Sequence, residues 1–419
     1  MRVVVLGAGI AGVASAWYLV QAGHEVLVLE RGEQAALETS FANGGQISVC
    51  HAEPWANAKA PWKILQWLAE DDAPLLWRMR ADLAQWRWGL KFLRECTPAR
   101  AKRNLQALVR LGLYSRERLQ QLRASSGIRY DHATRGILHY YTDEREFSAA
   151  LPAASAMRDL GLNRHPATPA QCFAIEPALA HSHRRIVGGT YTESDESGDA
   201  HCFTQALAAK AAALGVEFRY GVHIVALDQA GGVVKAVRVS DDTGAQQQIE
   251  ADAFVVCLGS YTPLLLRPLG IKLDIYPAKG YSATVPIVEG DIAPEVSLTD
   301  DGHKLVFSRL GQRLRVAGMA EFAGFDLQLD HARCQTLLRR TQEIFPHLAH
   351  YAAATFWTGL RPCTPGNLPY IGRTRHANVY VNSGHGTLGW TEGCGGGQAI
   401  ADIVSGRVPE VDYPFMTAL

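Results

Sequence analysis

The first thirty residues alternate between short apolar runs and a helical pattern. Residues 2–6 form a mostly β-branched run of the kind that is buried in a parallel sheet, and residues 26–29 form a second one. Between them, apolar residues recur with helical spacing from Ile10 to Val20, and Gly23 suits the end of that helix. The chain is therefore predicted to open with a strand, a helix and a second strand.

A glycine hexapeptide, Gly7 to Gly12, joins the first strand to the helix. A GxGxxG motif alone is weak, because it arises by chance and can be an ordinary tight turn. Here Glu30 also stands at the end of the second strand, where its carboxylate can accept hydrogen bonds from ribose hydroxyls, and the helix N-terminus can face phosphates. We therefore predict a dinucleotide site that comprises Gly7, Gly9, Ile10, Ala11, Gly12, Glu30 and Arg31.

The other parts of a nucleotide-binding domain occur much later in the chain. A helix is predicted at 203–214, a strand at 216–220, and a buried strand at 254–259 that ends in Gly259. Near the C-terminus, a strand at 379–382 is followed by a glycine-rich loop and a helix at 394–405. The domain is therefore predicted to consist of separated pieces of the chain.

Composition narrows the class of protein. The 419 residues suggest two or three domains, and the equal numbers of basic and acidic residues, 41 each, argue against a nucleic acid partner. No apolar run approaches the ~20 residues of a membrane helix, and the N-terminal run is too short for a signal peptide. The eight cysteines are scattered without a CxxC pair, so we expect reduced thiols and no metal site.

Four stretches of the chain resemble the D-amino-acid oxidase superfamily of flavoproteins, and within it the bacterial D-amino-acid dehydrogenases. They are the GxGxxG turn with Glu30, SFANGGQIS at 40–48, WTGLRPCTPGNLPYIG at 357–372 and GHGTLGWT at 384–391. The resemblance implies FAD as the cofactor and oxidative deamination of D-amino acids to 2-oxo acids and ammonia, with hydride transfer from Cα to flavin N5. It also implies that the electrons pass to a quinone or another respiratory acceptor.

The resemblance also implies roles for particular residues. Arg361 would bind the substrate carboxylate; a surface arginine is the alternative, but the apolar neighbours Trp357, Leu360 and Pro362 favour a functional one. No general base is assigned, and Tyr276, Tyr281, His303 and His51 are pocket candidates that could equally serve packing. The predicted flavin contacts are Ser40, Asn43, Gly44, Gly45, Gln46, Gly259, Gly384, His385, Gly386, Thr387, Leu388 and Gly389.

The chain departs from the family pattern at two places, and its cysteines differ in spacing from those of relatives that attach flavin covalently. Gly366 stands where the family usually has an acidic residue, and Glu392-Gly393 stands where it usually has Met-Ala. Both departures bear on the identity of the substrate. Cys363 and Cys394 do not have the spacing of relatives that attach flavin covalently, so we expect non-covalent FAD.

The segment 55–110 is rich in tryptophan and has a local charge of +6, from 11 basic and 5 acidic residues. Leu76, Met79, Leu83, Trp86, Leu90 and Leu93 recur at helical spacing and predict the buried stripe of a helix that starts near Asp72 and Pro74 and ends at Pro98. Trp77 and Trp88 then lie opposite that stripe. Two interpretations remain: these tryptophans pack against other helices, or they form a surface for the membrane interface or an electron-transfer partner.

We expect an α/β fold, α+β overall, with two discontinuous domains. A Rossmann-like FAD-binding domain would comprise 1–55, 185–268 and 355–419, and a substrate domain with a helical insertion would comprise 56–184 and 269–354. The second domain would contain an antiparallel sheet with strands at 136–141, 280–285, 303–308 and 313–317. We expect a cytoplasmic protein, with peripheral contact at the inner face of the plasma membrane if the second interpretation holds. The alternatives are an oxygen-using amine or imino-acid oxidase and a non-catalytic flavin-binding subunit.

Overall fold

The computed structural model describes residues 1–67 and 73–417 and has an α/β architecture with two large sheets. The strands, in chain order, are β1 (Arg2–Leu6), β2 (Glu25–Leu29), β3 (Gln46–Ile47), β4 (Leu75–Trp77), β5 (Ile137–Tyr141), β6 (Arg164–Ala167), β7 (Gly188–Thr192), β8 (Glu196–Ser197), β9 (Glu217–Arg219), β10 (His223–Ala230), β11 (Val233–Ser240), β12 (Gln246–Glu250), β13 (Ala253–Val256), β14 (Tyr276–Pro286), β15 (Ser297–Asp300), β16 (Leu305–Leu310), β17 (Arg313–Phe322), β18 (Thr355–Cys363), β19 (Tyr370–Arg373) and β20 (Val379–Ser383). The α-helices are α1 (Ile10–Gln21), α2 (Ala60–Trp67), α3 (Leu83–Glu95), α4 (Pro98–Ser126), α5 (Glu144–Asp159), α6 (Pro169–Ile175), α7 (Ala200–Ala213), α8 (Thr262–Leu266), α9 (His331–Ile344) and α10 (Gly389–Val404).

The first sheet has six strands in the order β19-β20-β13-β1-β2-β9. All neighbours are parallel except β19, which runs antiparallel to β20. Its central strands are buried on both faces, which explains their uninterrupted apolar sequences. The predicted elements at 203–214, 254–259, 379–382 and 394–405 correspond to α7, β13, β20 and α10, so the sheet is assembled from distant parts of the chain.

Helix α10 packs closely against α1 and α4 because it carries glycines where these helices approach. A Cβ at Gly393 would lie 2.6 Å from Ile10 Cγ1, and a Cβ at Gly397 would lie 2.7 Å from the backbone of Ala14. Gly395 N donates to Ser115 Oγ at 2.8 Å. The close packing fixes the N-terminal end of α10 next to the turn between β1 and α1.

The second sheet is largely antiparallel and follows the order β18-β14-β17-β16-β15-β5-β7-β6, with β4 paired to β17. Predicted strands at 280–285 and 313–317 lie within β14 and β17, the predicted strand at 136–141 starts one residue before β5, and β16 starts two residues after the predicted 303. The strands β7 and β18 also belong to this sheet, although their residues fall within the segments predicted for the FAD-binding domain. The domain boundaries themselves stay a prediction. A separate three-stranded sheet contains β10, β11 and β12.

The helix predicted across the tryptophan-rich segment is wrong in its start and in its buried face. Residues Leu75–Trp77 form strand β4, and α3 begins at Leu83, where the Asp82 side chain accepts from Ala84 N; the predicted start at Asp72 lies outside the described residues. The core side of α3 consists of Gln85, Trp88 and Phe92. Five of the six residues predicted to be buried are instead exposed, with Met79 74%, Leu83 88%, Trp86 46%, Leu90 64% and Leu93 52% accessible, whereas Leu76, in β4, is half-buried.

The opposite face of α3 is buried because a compact aromatic cluster lies beneath the helix. Trp88 packs against Phe92 and Phe322, and Trp77 packs against Trp88 and Phe322. Gln85 is fully buried in this contact, and its amide group is satisfied there because it donates to the carbonyl oxygens of Arg78 and Phe322. Trp77 and Trp88 therefore serve packing, which is the first of the two interpretations. Within the part of the chain that the structure describes, no helix has the length and apolar character needed to cross a membrane.

Candidate active site

A cavity of about 1190 Å³ extends from the carboxyl ends of β1 and β2 to the face of the second sheet. Ligands of open α/β sheets bind outside the carboxyl ends of the strands, which is where this cavity begins. Its volume exceeds the roughly 300–1,000 Å³ of typical small-molecule pockets and so leaves room for a dinucleotide together with a small substrate.

The first end of the cavity is the glycine turn between β1 and α1. Gly7 has φ +101°, and a Cβ there would lie 2.9 Å from Cys257 O. A Cβ at Gly12 would lie only 1.8 Å from Gly7 O, so the turn accepts no larger residue at that position. Gly7, Gly9, Ile10 and Ala11 line the cavity, whereas Gly12 acts by packing behind them. The turn thus has the sterically required shape of a pyrophosphate-binding site.

Glu30 and Arg31 line the same end of the cavity. The Glu30 carboxylate is held by Ala8 N at 2.7 Å and Gly32 N at 2.8 Å, which leaves lone pairs for ribose hydroxyls. Arg31 pairs with Glu38, and its guanidinium lies 4.3 Å from the centre of the Tyr261 ring. The two backbone hydrogen bonds fix the Glu30 carboxylate, which is the hydrogen-bond acceptor that the ribose of a dinucleotide requires.

The segment that includes Ser40 to Gln46 forms one wall. Ser40 Oγ accepts from Ile10 N at 3.2 Å, and Asn43 Oδ1 accepts from Gly45 N at 3.0 Å. A Cβ at Gly44 would lie 2.5 Å from Val306 Cγ2, so the glycine allows the wall to lie close against β16. The Gln46 amide donates to Ser297 Oγ and Leu298 O, and so it joins this wall to the second sheet.

The loop before α10 forms the opposite wall together with Gly259. Gly384 and Gly386 have φ of +87° and +53°, and Gly386 N donates to Pro362 O at 3.0 Å. His385, Gly386, Thr387 and Gly389 line the cavity, whereas the Leu388 side chain packs into a hydrophobic cluster and Gly384 lies behind the wall. Burial lowers the pKa of His385 to about 4, so its imidazole is neutral at pH 7. Because Gly389, the first residue of α10, lines the cavity, the N-terminus of this helix lies at the cavity wall. It has no capping side chain, so it favours an anion there.

Arg361 lines the same cavity from strand β18. Its Nη1 donates to Met319 O at 2.6 Å, and its Nη2 lies 3.4 Å from Gly318 O. No acidic side chain among residues 1–67 and 73–417 forms an ion pair with it. Burial lowers the pKa of Arg361 below the usual arginine value, since nearby charge does not compensate for lost hydration. A desolvated guanidinium without an anion is a binding site for a carboxylate.

The structure separates the four pocket candidates. His51 lines the cavity, and Tyr281 lies along its wall but donates its hydroxyl to Glu321 Oε2 at 2.7 Å, within the core under α9. Tyr276 does not line the cavity; it joins the aromatic cluster beneath α3 and donates to Asp82. His303 also lies elsewhere, bonded to Asp300 Oδ2 at 2.8 Å. Neither Tyr276 nor His303 is therefore among the described residues that line this cavity.

Several cavity residues were missed by sequence reasoning. Cys50, His139, Tyr141, Arg164 and Asp301 all line the cavity near His51. His139 lies on a predicted strand, but nothing in its neighbourhood along the chain indicates that Cys50 and Asp301 lie beside it.

The two departures from the family pattern lie in different surroundings. A Cβ at Gly366 would lie 2.7 Å from Asn104 Nδ2 and 3.2 Å from Glu95 Oε2, so the Glu95 carboxylate occupies the space beside this position. Glu392 is fully buried, and neither of its oxygens has a hydrogen-bond partner among the described residues. Burial raises the pKa of Glu392 well above the usual carboxyl value. Cys363 and Cys394 are buried off the cavity wall, in agreement with the expected non-covalent cofactor.

Known proteins resemble the chain over its full length. Residues 2–403 match the family of FAD-dependent oxidoreductases called DAO. The chain is 56% identical over 416 residues to the D-amino acid dehydrogenase of Dechloromonas aromatica, covering 99% of this chain and 100% of that protein. It is 53% identical over 408 residues to the enzyme of the same name from Paramagnetospirillum magneticum, covering 97% and 96%.

Solved structures share the fold at low sequence identity. Glycine oxidase from Bacillus cereus aligns with a TM-score of 0.73 and 21% identity, covering 97% of this chain and 95% of that one. The L-α-glycerophosphate oxidase of Mycoplasma pneumoniae, solved with FAD bound, aligns with a TM-score of 0.69 and 16% identity, covering 100% and 99%. The glycine turn, the Glu30 acceptor and the second glycine loop fit FAD, and the chain belongs to the DAO family of FAD-dependent oxidoreductases.

Proposed function

We propose that this protein is an FAD-dependent D-amino-acid dehydrogenase. It would oxidise D-amino acids to 2-oxo acids and ammonia and pass the electrons to a quinone or another respiratory acceptor. The observation that carries the proposal is Arg361, a guanidinium without an anionic partner among the described residues, which faces the same cavity as the dinucleotide-binding turn. The names of relatives that are 56% and 53% identical over almost the whole chain support the choice of substrate class.

Binding of the substrate begins with its carboxylate. The Arg361 guanidinium, fixed by Met319 O and Gly318 O, presents its remaining N–H groups to the two carboxylate oxygens. This grip fixes the α-carbon in the cavity and limits its rotation, and such positioning supplies a large part of the rate enhancement in bimolecular reactions.

The oxidation removes a hydride from Cα and a proton from the amine nitrogen. When bound, FAD supplies the two-electron acceptor for this hydride. We assign no general base, because an amine that binds in its neutral form loses its proton to water after oxidation. The resulting imine takes up water at carbon, and the carbinolamine breaks down to the 2-oxo acid and ammonia.

A Gly280→Ala variant tests the position of Arg361 without removing it. A Cβ at residue 280 would lie 2.4 Å from Arg361 Cζ, so the guanidinium must move while the backbone of β14 keeps its place. We expect KM for D-amino acids to rise about 10-fold or more, since misplaced charged contacts cost roughly 1.5–3 kcal/mol. Steady-state kinetics at equal FAD content measure the effect. An unchanged KM would contradict the claim that Arg361, in its position beside Gly280, binds the substrate carboxylate.

We further infer that α3 is where the protein meets the inner face of the plasma membrane and its acceptor. Leu83, Trp86, Leu90 and Leu93 project to solvent from one face of this helix, and Trp62 is 68% exposed nearby in sequence. Exposed basic residues accompany them: Lys59, Lys63, Arg78, Arg80, Arg87 and Arg94. Exposed leucine and tryptophan beside lysine and arginine complement an anionic phospholipid surface. The peripheral contact is thus carried by α3 and not by Trp77 and Trp88.

A double variant, Leu83→Glu with Leu90→Glu, is expected to abolish this contact. Each leucine that inserts into the interface contributes roughly 1.5–3 kcal/mol, so binding to vesicles that contain phosphatidylglycerol should weaken at least about 100-fold. Co-sedimentation measures binding, and a soluble dye acceptor reports whether the active site is intact. The matched control is Leu214→Glu with Val408→Glu, two exposed apolar residues on other surfaces. Equal binding by both double variants would contradict the assignment of α3.

Product and oxygen measurements separate the proposed activity from its alternatives. With D-alanine and a quinone analogue, we expect pyruvate and ammonia in equal amounts and little hydrogen peroxide. Rapid reoxidation by oxygen with stoichiometric peroxide would instead identify an oxidase. A flavin that no amine reduces would identify a non-catalytic subunit.

A further inference from the structure

A second group of reactive side chains lines the cavity apart from Arg361 and the dinucleotide-binding turn. Cys50 and His51 lie in a short 3-10 helix, Val49–His51, that follows β3. His139 lies in the middle of β5, and Asp301 follows the end of β15. All four residues line the cavity, and Cys50 and His139 are almost fully buried. We propose that Cys50 Sγ, His51 Nδ1 and His139 Nε2 form a binding site for a zinc ion, with a fourth position open to the cavity.

The distances between the three atoms suit a single tetrahedral ion. Cys50 Sγ lies 3.1 Å from His139 Nε2 and 3.9 Å from His51 Nδ1, and one ligand atom from each residue lies within 4.8 Å of the others. Zn–S and Zn–N bonds of about 2.3 and 2.0–2.1 Å place sulfur and nitrogen ~3.6 Å apart in a tetrahedral site. The two measured sulfur–nitrogen distances lie on either side of that value, so small side-chain rotations complete the geometry.

Partners beyond the three residues hold both imidazoles in the orientation that binding requires. His139 Nδ1 lies 2.8 Å from Asp301 Oδ2, and Tyr141 donates to the same oxygen at 2.7 Å. An Nδ1–H donated to Asp301 leaves the Nε2 lone pair directed toward Cys50. His51 Nε2 lies 3.4 Å from Thr299 Oγ1, so its other nitrogen is left for the ion. A carboxylate behind a metal-binding histidine is the usual second contact of zinc sites.

The ionisation of the group favours metal binding at neutral pH. Burial lowers the pKa of His139 to about 4, and burial together with His139 holds the pKa of His51 well below its usual value. Burial by itself would raise the pKa of Asp301, but the hydrogen bond from His139 Nδ1 and the nearby Lys304 ammonium keep it well below the usual carboxyl value. Both imidazoles are therefore neutral and the carboxylate ionised, which is the state in which histidine binds metals.

Cys50 supplies the proton that the ion replaces. Burial raises the pKa of the Cys50 thiol, and Asp195 adds to the effect, so without metal the S–H donates to His139 Nε2. Zinc takes the place of that proton, forms a bond to the thiolate sulfur, and releases H⁺ to solvent. Arg164 donates to Cys50 O at 2.9 Å and Cys50 N donates to Asp195 Oδ2 at 2.9 Å, so the backbone of this residue is already fixed. The open position can take water or an oxygen of a ligand in the cavity.

The test is zinc binding to the FAD-loaded protein, measured apart from activity. The protein is treated with a chelator, given one equivalent of zinc chloride, dialysed, and analysed for zinc and for FAD. We expect about one zinc per chain in the wild type and about one proton released per zinc. Cys50→Ser and His139→Asn should each lose the zinc while keeping FAD. The matched controls Cys202→Ser and His303→Asn, which alter a partly exposed cysteine and a histidine outside the cavity, should retain it.

Two results would overturn the zinc site: wild-type protein without zinc after dialysis, or Cys50→Ser and His139→Asn proteins that bind as much zinc as the controls. If either variant fails to fold, the absorption spectrum of wild-type protein loaded with cobalt tests the metal site instead. A thiolate-bound tetrahedral cobalt ion absorbs at longer wavelengths than oxidised flavin, and the absence of such bands would exclude the site. None of these measurements depends on turnover of a D-amino acid, so the zinc site and the proposed function can fail separately.

Discussion

Replacement of Arg361 by alanine is expected to lower kcat/KM for D-amino acids by about 30- to 4,000-fold. The estimate follows from the roughly 2–5 kcal/mol that is lost when one partner of a buried, hydrogen-bonded charge pair is truncated. Most of the loss should appear in KM, because the guanidinium contacts the carboxylate both before and during the reaction. FAD content should not change, since the guanidinium of Arg361 is held by Met319 O and Gly318 O and not by the glycine turn.

Arg238→Ala is the matched control for Arg361. This arginine pairs with Asp228 in the three-stranded sheet, and neither residue lines the cavity, so its loss should leave both KM and FAD content unchanged. Arg361→Lys should fall between alanine and wild type, because lysine keeps the charge but cannot form the two parallel hydrogen bonds. Wild-type affinity in Arg361→Ala would mean that the carboxylate binds elsewhere.

Replacement of Gly12 by alanine is expected to abolish FAD binding. The new Cβ would lie 1.8 Å from Gly7 O, which belongs to backbone and has no side-chain freedom to move away. The turn must therefore open, and the N-H groups at the start of α1 would no longer converge on the pyrophosphate. The purified variant should be colourless, with FAD affinity reduced by at least about 100-fold because helix and anion contacts worth several kcal/mol are lost.

Gly23→Ala provides the control for Gly12, because it lies just beyond the end of the same helix. Its φ of +83° makes alanine strained, but apart from the glycine and its two chain neighbours no atom of the described residues lies within 4 Å of the new Cβ. The variant should lose about 1 kcal/mol of stability and keep its flavin. Full FAD content in Gly12→Ala, measured by absorbance after gel filtration, would contradict the assigned position of the pyrophosphate.

The glycine turn could be predicted from the sequence because its requirements are local. Gly7, Gly12 and Glu30 lie within one strand–helix–strand unit, and each has a steric or hydrogen-bonding reason that the motif itself expresses. The orientation of α3 could not be predicted in the same way. The spacing of Leu83, Trp86, Leu90 and Leu93 shows that they share a face, but only the aromatic cluster beneath the helix decides which face is buried.

The candidate site shows the same limit. Arg361 could be singled out because apolar residues surround it in the chain, whereas Cys50 and His139 are 89 residues apart and His139 and Asp301 are 162 apart. The absence of CxxC pairs predicts no metal site, and that stays a prediction until zinc binding to the Cys50, His51 and His139 group is measured. The pairing of β5 with β15 and the position of the 3-10 helix after β3 bring this group together.

Anaerobic mixing of the FAD-loaded protein with each enantiomer of alanine tests the central claim most directly. We expect D-alanine to bleach the oxidised flavin spectrum and L-alanine to leave it unchanged at the same concentration, with dithionite as the measure of complete reduction. D-Proline offers a second substrate with the same carboxylate and a secondary amine. Reduction by L-alanine at an equal rate, or reduction by dithionite but by neither D-amino acid, would contradict the proposed function.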